Sequence, residues 1–160
     1  MRTVTVLCVG KLKEGYFRDA CAEYLKRLGG FAKVQVIELD EERLPDAPSP
    51  AQIEAALAAE GKRMLEKVPH GAALVALCIE GREQSSEALA ATLSRWAVEG
   101  TSQVAFAIGS SFGLSPDVKA AAKLKLSMSP MTFPHGLARV MLLEQLYRAF
   151  QIESGGKYHK

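Results

Sequence analysis

Residues 72–79 read AALVALCI. The run carries no charge, and it does not alternate between apolar and polar positions. A strand with one wet face alternates, so a continuous run fits a parallel strand covered on both sides. Parallel strands need long crossovers, and the flanking sequence supplies them. Upstream, AQIEAALAAEGKRMLEKV (51–68) is rich in Ala, Glu and Lys and reads as a helix. Downstream, SSEALAATLSRWAVEG (85–100) reads as a second helix, with Ser85 or Ser86 as its cap and Gly100 closing it. Working outward, TVTVLCVG (3–10), KVQVIEL (33–39), SQVAFAIG (102–109) and KLSMS (125–129) are further strands. Between the first two, Tyr16, Phe17, Cys21, Tyr24, Leu25 and Leu28 recur at helical spacing until Gly29 stops the helix. DEERLPDAPSP (40–50), with three prolines and four acids, is a loop. LSPDVKAAAKL (114–124) starts a helix with Ser115 at the N-cap, Pro116 in the first turn and Asp117 near the positive end of the dipole. A last helix runs from about 136 to 151. Strand and helix alternate throughout, so the expected fold is α/β: a mostly parallel sheet flanked by helices, in one domain spanning 1–160.

Bulk properties narrow the function. At 48% hydrophobic and 24% charged residues, the 160-residue chain has the composition of a globular domain with its own core. No apolar run is long enough to cross a bilayer, so no membrane association is expected. Cys8, Cys21 and Cys78 form no CxxC or Cys/His cluster, which argues against a disulfide framework or a zinc site and for reduced thiols in a cytoplasmic protein. The net charge of +2 does not by itself signal nucleic-acid binding. A local basic face would have to draw on Lys11, Lys13, Lys26, Arg27, Lys123, Lys125, Arg139, Arg148, Lys157 and Lys160.

Three segments stand beyond strand ends: LCIEGREQSS (77–86), AIGSSFGLS (107–115) and SMSPMTFPHG (127–136). The first two read as strands ending in glycine turns. Neither is a GxGxxG or GxxxxGK[ST] loop, so the dinucleotide and P-loop readings fail. Ligands of open α/β sheets sit beyond the carboxyl ends of the strands. Small and apolar loops there suit an adenine and a thioether better than a phosphate, and they offer no cluster of acids for a metal. His135 opens the last helix, where a lone histidine is more often a cap or packing residue than a catalyst. That helix is apolar on more than one side, and so is buried in the domain or packed on another subunit; Leu143 is one such apolar position. Arg139 and Arg148 lie nine residues apart, which at about 100° per residue puts them on opposite sides. At most one of them points into a given site.

The stretches VGKLKEGYFRDACAEYLKRL, IGSSFGLS and LSMSPMTFPHGLARVMLLEQLYRAFQIESGGKYHK carry a resemblance over essentially the whole chain. They resemble the RlmH (YbeA-like) family of SPOUT-superfamily methyltransferases, which methylate N3 of a pseudouridine in large-subunit (23S) ribosomal RNA. The resemblance implies a C-terminal trefoil knot, a topology that general connection rules would have excluded. It implies S-adenosyl-L-methionine as cofactor, held by Leu77, Gly109, Met128, Ser129, Pro130, Met131, Thr132 and Phe133. It also implies a homodimer whose partner tail completes each site, with ribosomal RNA as substrate; the weak net charge of +2 adds the expectation that the RNA is met on the assembled ribosome. Arg148 would stabilise charge on the base, Tyr158 would grip it, His159 would act as base or hydrogen-bonding group, and Lys160 would meet phosphate. Gly155 and Gly156 would form a hinge for this tail. Ser110 stands where the family commonly has glycine, and Pro130 where it often has a basic residue. Other readings are a SPOUT enzyme acting on transfer RNA, a non-catalytic ribosome-binding factor and a flavodoxin-like nucleotide-binding domain.

Overall fold

Strands and helices alternate through residues 2–160, the part that the computed structural model describes. In chain order they are β1 (Arg2–Val9), α1 (Gly15–Leu28), β2 (Ala32–Leu39), α2 (Pro50–Lys67), β3 (Ala73–Glu83), α3 (Ser86–Val98), β4 (Gln103–Ile108), α4 (Pro116–Ala121), β5 (Leu124–Ser127) and α5 (His135–Glu153). The five strands form one sheet in the order β2-β1-β4-β3-β5, and every pairing is parallel. The continuous apolar run lies in β3, one strand in from the edge, with Val75 and Ala76 fully buried.

Both faces of the sheet are covered, as that run requires. On one face Val6, Val75 and Phe106 pack with Leu28 of α1, Leu93 of α3, and Leu142, Leu143 and Leu146 of α5. On the other, Leu7, Leu74 and Ala105 pack with Met64 of α2 and Val118 of α4. Each fully buried aliphatic side chain here contributes about 1.5–3 kcal/mol relative to exposure. Serines set the helix starts. Ser85 accepts from Ala88 N and caps α3, Ser115 accepts from Val118 N and caps α4, and Ser49 with Gln52 forms a capping box on α2.

Three expectations need correction. β3 does not end in a turn at Gly81. It bulges after Leu77 and resumes, so that Leu77 and Arg82 both pair with Leu126 of β5. Gly81 is needed for closeness: a Cβ there would lie 2.8 Å from backbone carbons of Lys125 and Leu126. Leu143 is wholly buried inside the single chain, so it belongs to the core and not to a subunit interface. Gly155 and Gly156 are not a loose hinge. Gly155, at φ +74°, donates to Ile152 O, and Gly156 N donates to Gln151 O at 2.8 Å. This 5→2 and 6→1 pair is a Schellman motif, which ends α5 and turns the tail back along it.

Arg139 fixes α5 to the sheet. Its side chain is almost entirely buried, Nη1 donates to Glu38 Oε2 at 2.8 Å, and Nη2 donates to Gly10 O at 3.3 Å. The first turn of α5 is thereby tied to the carboxyl ends of β1 and β2, beside the strand ends that shape the site.

Candidate functional site

The bulge in β3, the turn after β4 and the loop after β5 enclose a cleft of about 760 Å³ at the carboxyl edge of the sheet. Leu77, Ile108, Leu126, Met128 and Phe133 supply apolar walls; Ser129 and Thr132 supply hydroxyls. The β3 bulge places Cys78, Ile79 and Glu80 on its wall. The turn after β4 is tightly folded: a Cβ on Gly109 would lie 2.2 Å from Gly113 O, and Gly113 N donates to Ser110 O at 2.9 Å. Only glycine at 109 leaves this backbone room to form one wall of the cleft. The third segment holds itself in shape, with Ser127 Oγ donating to Ser129 O and Met131 N donating to Ser129 Oγ at 3.0 Å. At one side Lys119 pairs with Glu80 at 2.5 Å, and this pair pulls the Glu80 carboxyl below its usual range.

Seven of the eight expected cofactor positions line this cleft: Leu77, Gly109, Met128, Ser129, Met131, Thr132 and Phe133. Pro130 does not; it is exposed at the tip of its loop. His135 joins the lining at the first residue of α5. Sequence reasoning missed Glu80, Lys119 and Phe112. Glu80 and Lys119 meet only because the bulge brings the end of β3 to α4. Phe112, nearly half exposed, could have been noticed as a large aromatic between two glycines of a turn.

The tail is ordered against its own helix. Arg148 Nε and Nη2 bond Glu144 Oε1 at 2.9 and 2.6 Å, and its guanidinium lies 4.7 Å from the centre of the Tyr158 ring. Tyr158 packs edge-on against Tyr147 and donates to Glu144 Oε1 at 3.3 Å. Burial, first of all, pushes the Tyr158 phenol up, and the Glu144 bond pushes the Arg148 guanidinium up. Arg148 Nη1 also meets His159 Nδ1 at 3.1 Å. A guanidinium has no acceptor, so Nδ1 accepts, and the imidazole proton sits on Nε2, which faces Glu87 at 2.6 Å. The bond to His159 lowers the Glu87 carboxyl.

Arg148, Tyr158 and His159 are therefore brought together, as expected, and Arg139 faces elsewhere. None of the three lines the cleft of the same chain. Arg148 lies ten residues beyond Ala138, which does line it, or about 15 Å along the helix. Three of the other candidate cations are engaged within the chain. Arg27 is paired with Glu23, Arg139 is buried, and Lys123 lies over the Trp96 ring. Among the described residues no group of three His, Cys, Asp or Glu side chains is placed to hold a metal ion, and no helix is long and apolar enough to cross a membrane.

Fold and cleft together define a class: an α/β domain with a ligand pocket at the carboxyl edge of a parallel sheet, and a polar tail cluster held apart from it. Two solved structures share the fold. One, a methylase-family protein from Haemophilus influenzae Rd KW20, aligns over 98% of this chain and 70% of its own at TM-score 0.55 and 13% identity. Another, from Legionella pneumophila, described in complex with the bound cofactor SAM, aligns over 95% of this chain and 66% of its own at TM-score 0.51 and 11% identity. The family described as "Predicted SPOUT methyltransferase" matches residues 1–159. A protein of Bifidobacterium animalis subsp. lactis is 49% identical over 98% of this chain and 99% of its own, and one of Bacillus thuringiensis is 48% identical over the same shares. Both are named ribosomal RNA large subunit methyltransferase H. The chain belongs to the SPOUT methyltransferases, in the family of ribosomal RNA large subunit methyltransferase H.

Proposed function

We propose that this protein methylates N3 of a pseudouridine in large-subunit ribosomal RNA, with S-adenosyl-L-methionine as methyl donor, and that it acts on the assembled ribosome in the cytoplasm. The observation that carries the reading is the cleft, which gathers seven of the eight expected cofactor positions from three separate loops. Its volume and mostly apolar lining suit a ligand the size of that cofactor. The close Gly109–Gly113 backbone contact keeps side chains off that wall, so a ligand can approach the backbone there. S-adenosyl-L-methionine bound there supplies the methyl group on a sulfonium. Leu77, Met128 and Phe133 would hold it, with Ser129 and Thr132 orienting its polar groups.

The remaining work falls to the tail. An N3–H lies between two carbonyls and is weakly acidic, so removing its proton leaves negative charge on the ring. Arg148 can face that charge with two donors, and Tyr158 can stack on or bond the base. His159 has both ring nitrogens engaged, with Nδ1 accepting from Arg148, so it becomes a proton acceptor only once the Arg148 contact opens. Because this cluster stands well away from its own cleft, the reading includes a homodimer in which each tail serves the partner's cleft. The half-buried stripe Leu137, Met141 and Gln145 on α5 is the face proposed for that contact. A trefoil knot belongs to the same reading.

The test is transfer of labelled methyl from S-adenosyl-L-methionine to intact ribosomes lacking the modification, followed by nucleoside analysis. N3-methylpseudouridine in large-subunit RNA is expected, with little transfer to deproteinised RNA, because the protein has little basic surface with which to grip RNA alone. Label in transfer RNA instead would overturn the substrate assignment.

A further inference from the structure

Among the described residues that line the cleft, Glu80 and Lys119 are the acid and the base, and they lie against each other, Nζ to Oε1 at 2.5 Å. Cys78 and His135 are the other ionisable groups on its wall. The two members of the pair come from separate elements. Leu77 and Arg82 both pair with Leu126, so residues 78–81 are looped out between them. The close packing of Gly81 on the backbone of Lys125 and Leu126 fixes where that loop stands. Lys119 follows Val118, which is fully buried, in a helix that Ser115 caps. Both backbones are thus anchored, while the Glu80 and Lys119 side chains stay 57% and 29% exposed at the rim.

An ion pair this exposed adds little to the fold, because water already solvates both groups. What it offers is one positive and one negative charge side by side, at the edge of a cleft whose other walls are mostly apolar or hydroxyl-bearing. The ligand read into the cleft has matching parts. Its adenosine is uncharged, and its amino-acid end carries an ammonium and a carboxylate on one carbon. Glu80 can accept from the ammonium and Lys119 can donate to the carboxylate, each in a charge-assisted bond. The exchange is cheap, since each member of the pair trades one opposite charge for another. Lys125 also acts on Glu80, but it is exposed on β5 and does not line the cleft.

We propose that Glu80 and Lys119 form the subsite for the amino-acid end of S-adenosyl-L-methionine, and so select a ligand that carries that end over an adenosine that ends in a bare methylthio group. The proposal rests on the reading of the cleft as the S-adenosyl-L-methionine site. It makes the two residues determinants of cofactor specificity, and it gives the looped-out segment of β3 a binding role as well as a structural one.

Calorimetric titration with three ligands tests it. They are S-adenosyl-L-methionine; S-adenosyl-L-homocysteine, which keeps the amino acid on a neutral sulfur; and 5′-methylthioadenosine, which keeps the adenosine and has no amino acid. Native protein should bind the first two at least about tenfold more tightly than the third. Glu80→Gln and Lys119→Met should each weaken the first two about tenfold, the order expected for losing a charge-assisted hydrogen bond, and leave the third within about twofold. Lys119→Arg keeps the charge and should stay within about threefold of native protein on all three. Equal losses on 5′-methylthioadenosine would put the pair on the ribose or the adenine. A loss confined to S-adenosyl-L-methionine would put Glu80 on the sulfonium. Variants that bind all three as native protein does would leave the pair a surface contact. Each of these results overturns the subsite and leaves the cofactor reading standing. Native protein that binds none of the three would overturn the cofactor reading, and this proposal with it.

Discussion

Cys8 and Cys78 are the same residue type in neighbouring parts of one sheet, and their surroundings set them apart. Cys8 is 1% exposed in β1, and burial pushes its thiol up to about 12; the nearby Arg139 guanidinium offsets only part of this. Folding therefore holds a proton on Cys8. Its contribution to stability is complete below the ordinary thiol range and is lost as pH rises toward about 12. Cys78 is only half buried; burial first, and then Glu80, raise its thiol, but it stands on the cleft wall within reach of solvent. Since the thiolate is the nucleophile, the two should separate under alkylation. Iodoacetamide at pH 8–9 should label Cys78 slowly, and S-adenosyl-L-methionine should slow it further. Cys8 should stay unlabelled until the protein unfolds, as read by mass spectrometry of the peptides. Rapid labelling of native Cys8, or cofactor that leaves the Cys78 rate unchanged, would contradict this account. Arg139 and Arg148 show a similar divergence. One is sunk against Glu38 and Gly10 O as a structural tie; the other is presented beside Tyr158 and His159.

At the scale of the element, α5 carries most of the ambiguity. Its apolar positions serve two surfaces, and only the structure sorts them. Leu142, Leu143 and Leu146 are fully buried against the sheet and α1, whereas Leu137 and Met141 are only partly buried. Leu143→Ala should cost about 2–5 kcal/mol in urea unfolding without changing the subunit state. Met141→Asp should leave the fold intact and shift the protein to a monomer in light scattering. A folded, dimeric Met141→Asp would remove this stripe from the interface. The alternation of strands and helices, and the parallel character of the sheet, were legible because AALVALCI has no wet face and Ser85, Ser115 and Gly100 punctuate the helices beside it. The bulge in β3 was not. Gly81 reads as a turn residue in one dimension, and its reason, backbone contact with Lys125 and Leu126, exists only after β5 pairs. Gly155 and Gly156 looked like a hinge for the same reason: a Schellman cap and a flexible joint are both written with glycine. The cofactor positions were reached through resemblance, since no loop matches a phosphate-binding pattern.

At the scale of the whole molecule, a single chain has a pocket and a set of polar groups that do not meet. α5 spans the distance between them, beginning at the cleft with His135 and carrying Arg148 about 15 Å beyond Ala138 before the Schellman cap turns the tail back toward Arg148. Glu144 and Glu87 hold the tail in place on its own protomer. An isologous dimer brings the equivalent surface of a second copy to the first, and so can set one tail over the other cleft twice. This arrangement has a statistical signature. One variant, Arg148→Ala, keeps the cleft and disables the tail; another, Thr132→Trp, at an exposed position on the cleft, blocks the cleft and keeps the tail. Each alone should be inactive on ribosomes. If the subunits are unfolded together and refolded at equal ratio, half of the dimers are mixed, and each mixed dimer holds one intact cleft facing one intact tail. Activity should return to about a quarter of the native level under random two-fold pairing. Were each tail to serve its own cleft, the intact cleft would always share a chain with the disabled tail, and the mixture would remain as inactive as its parts.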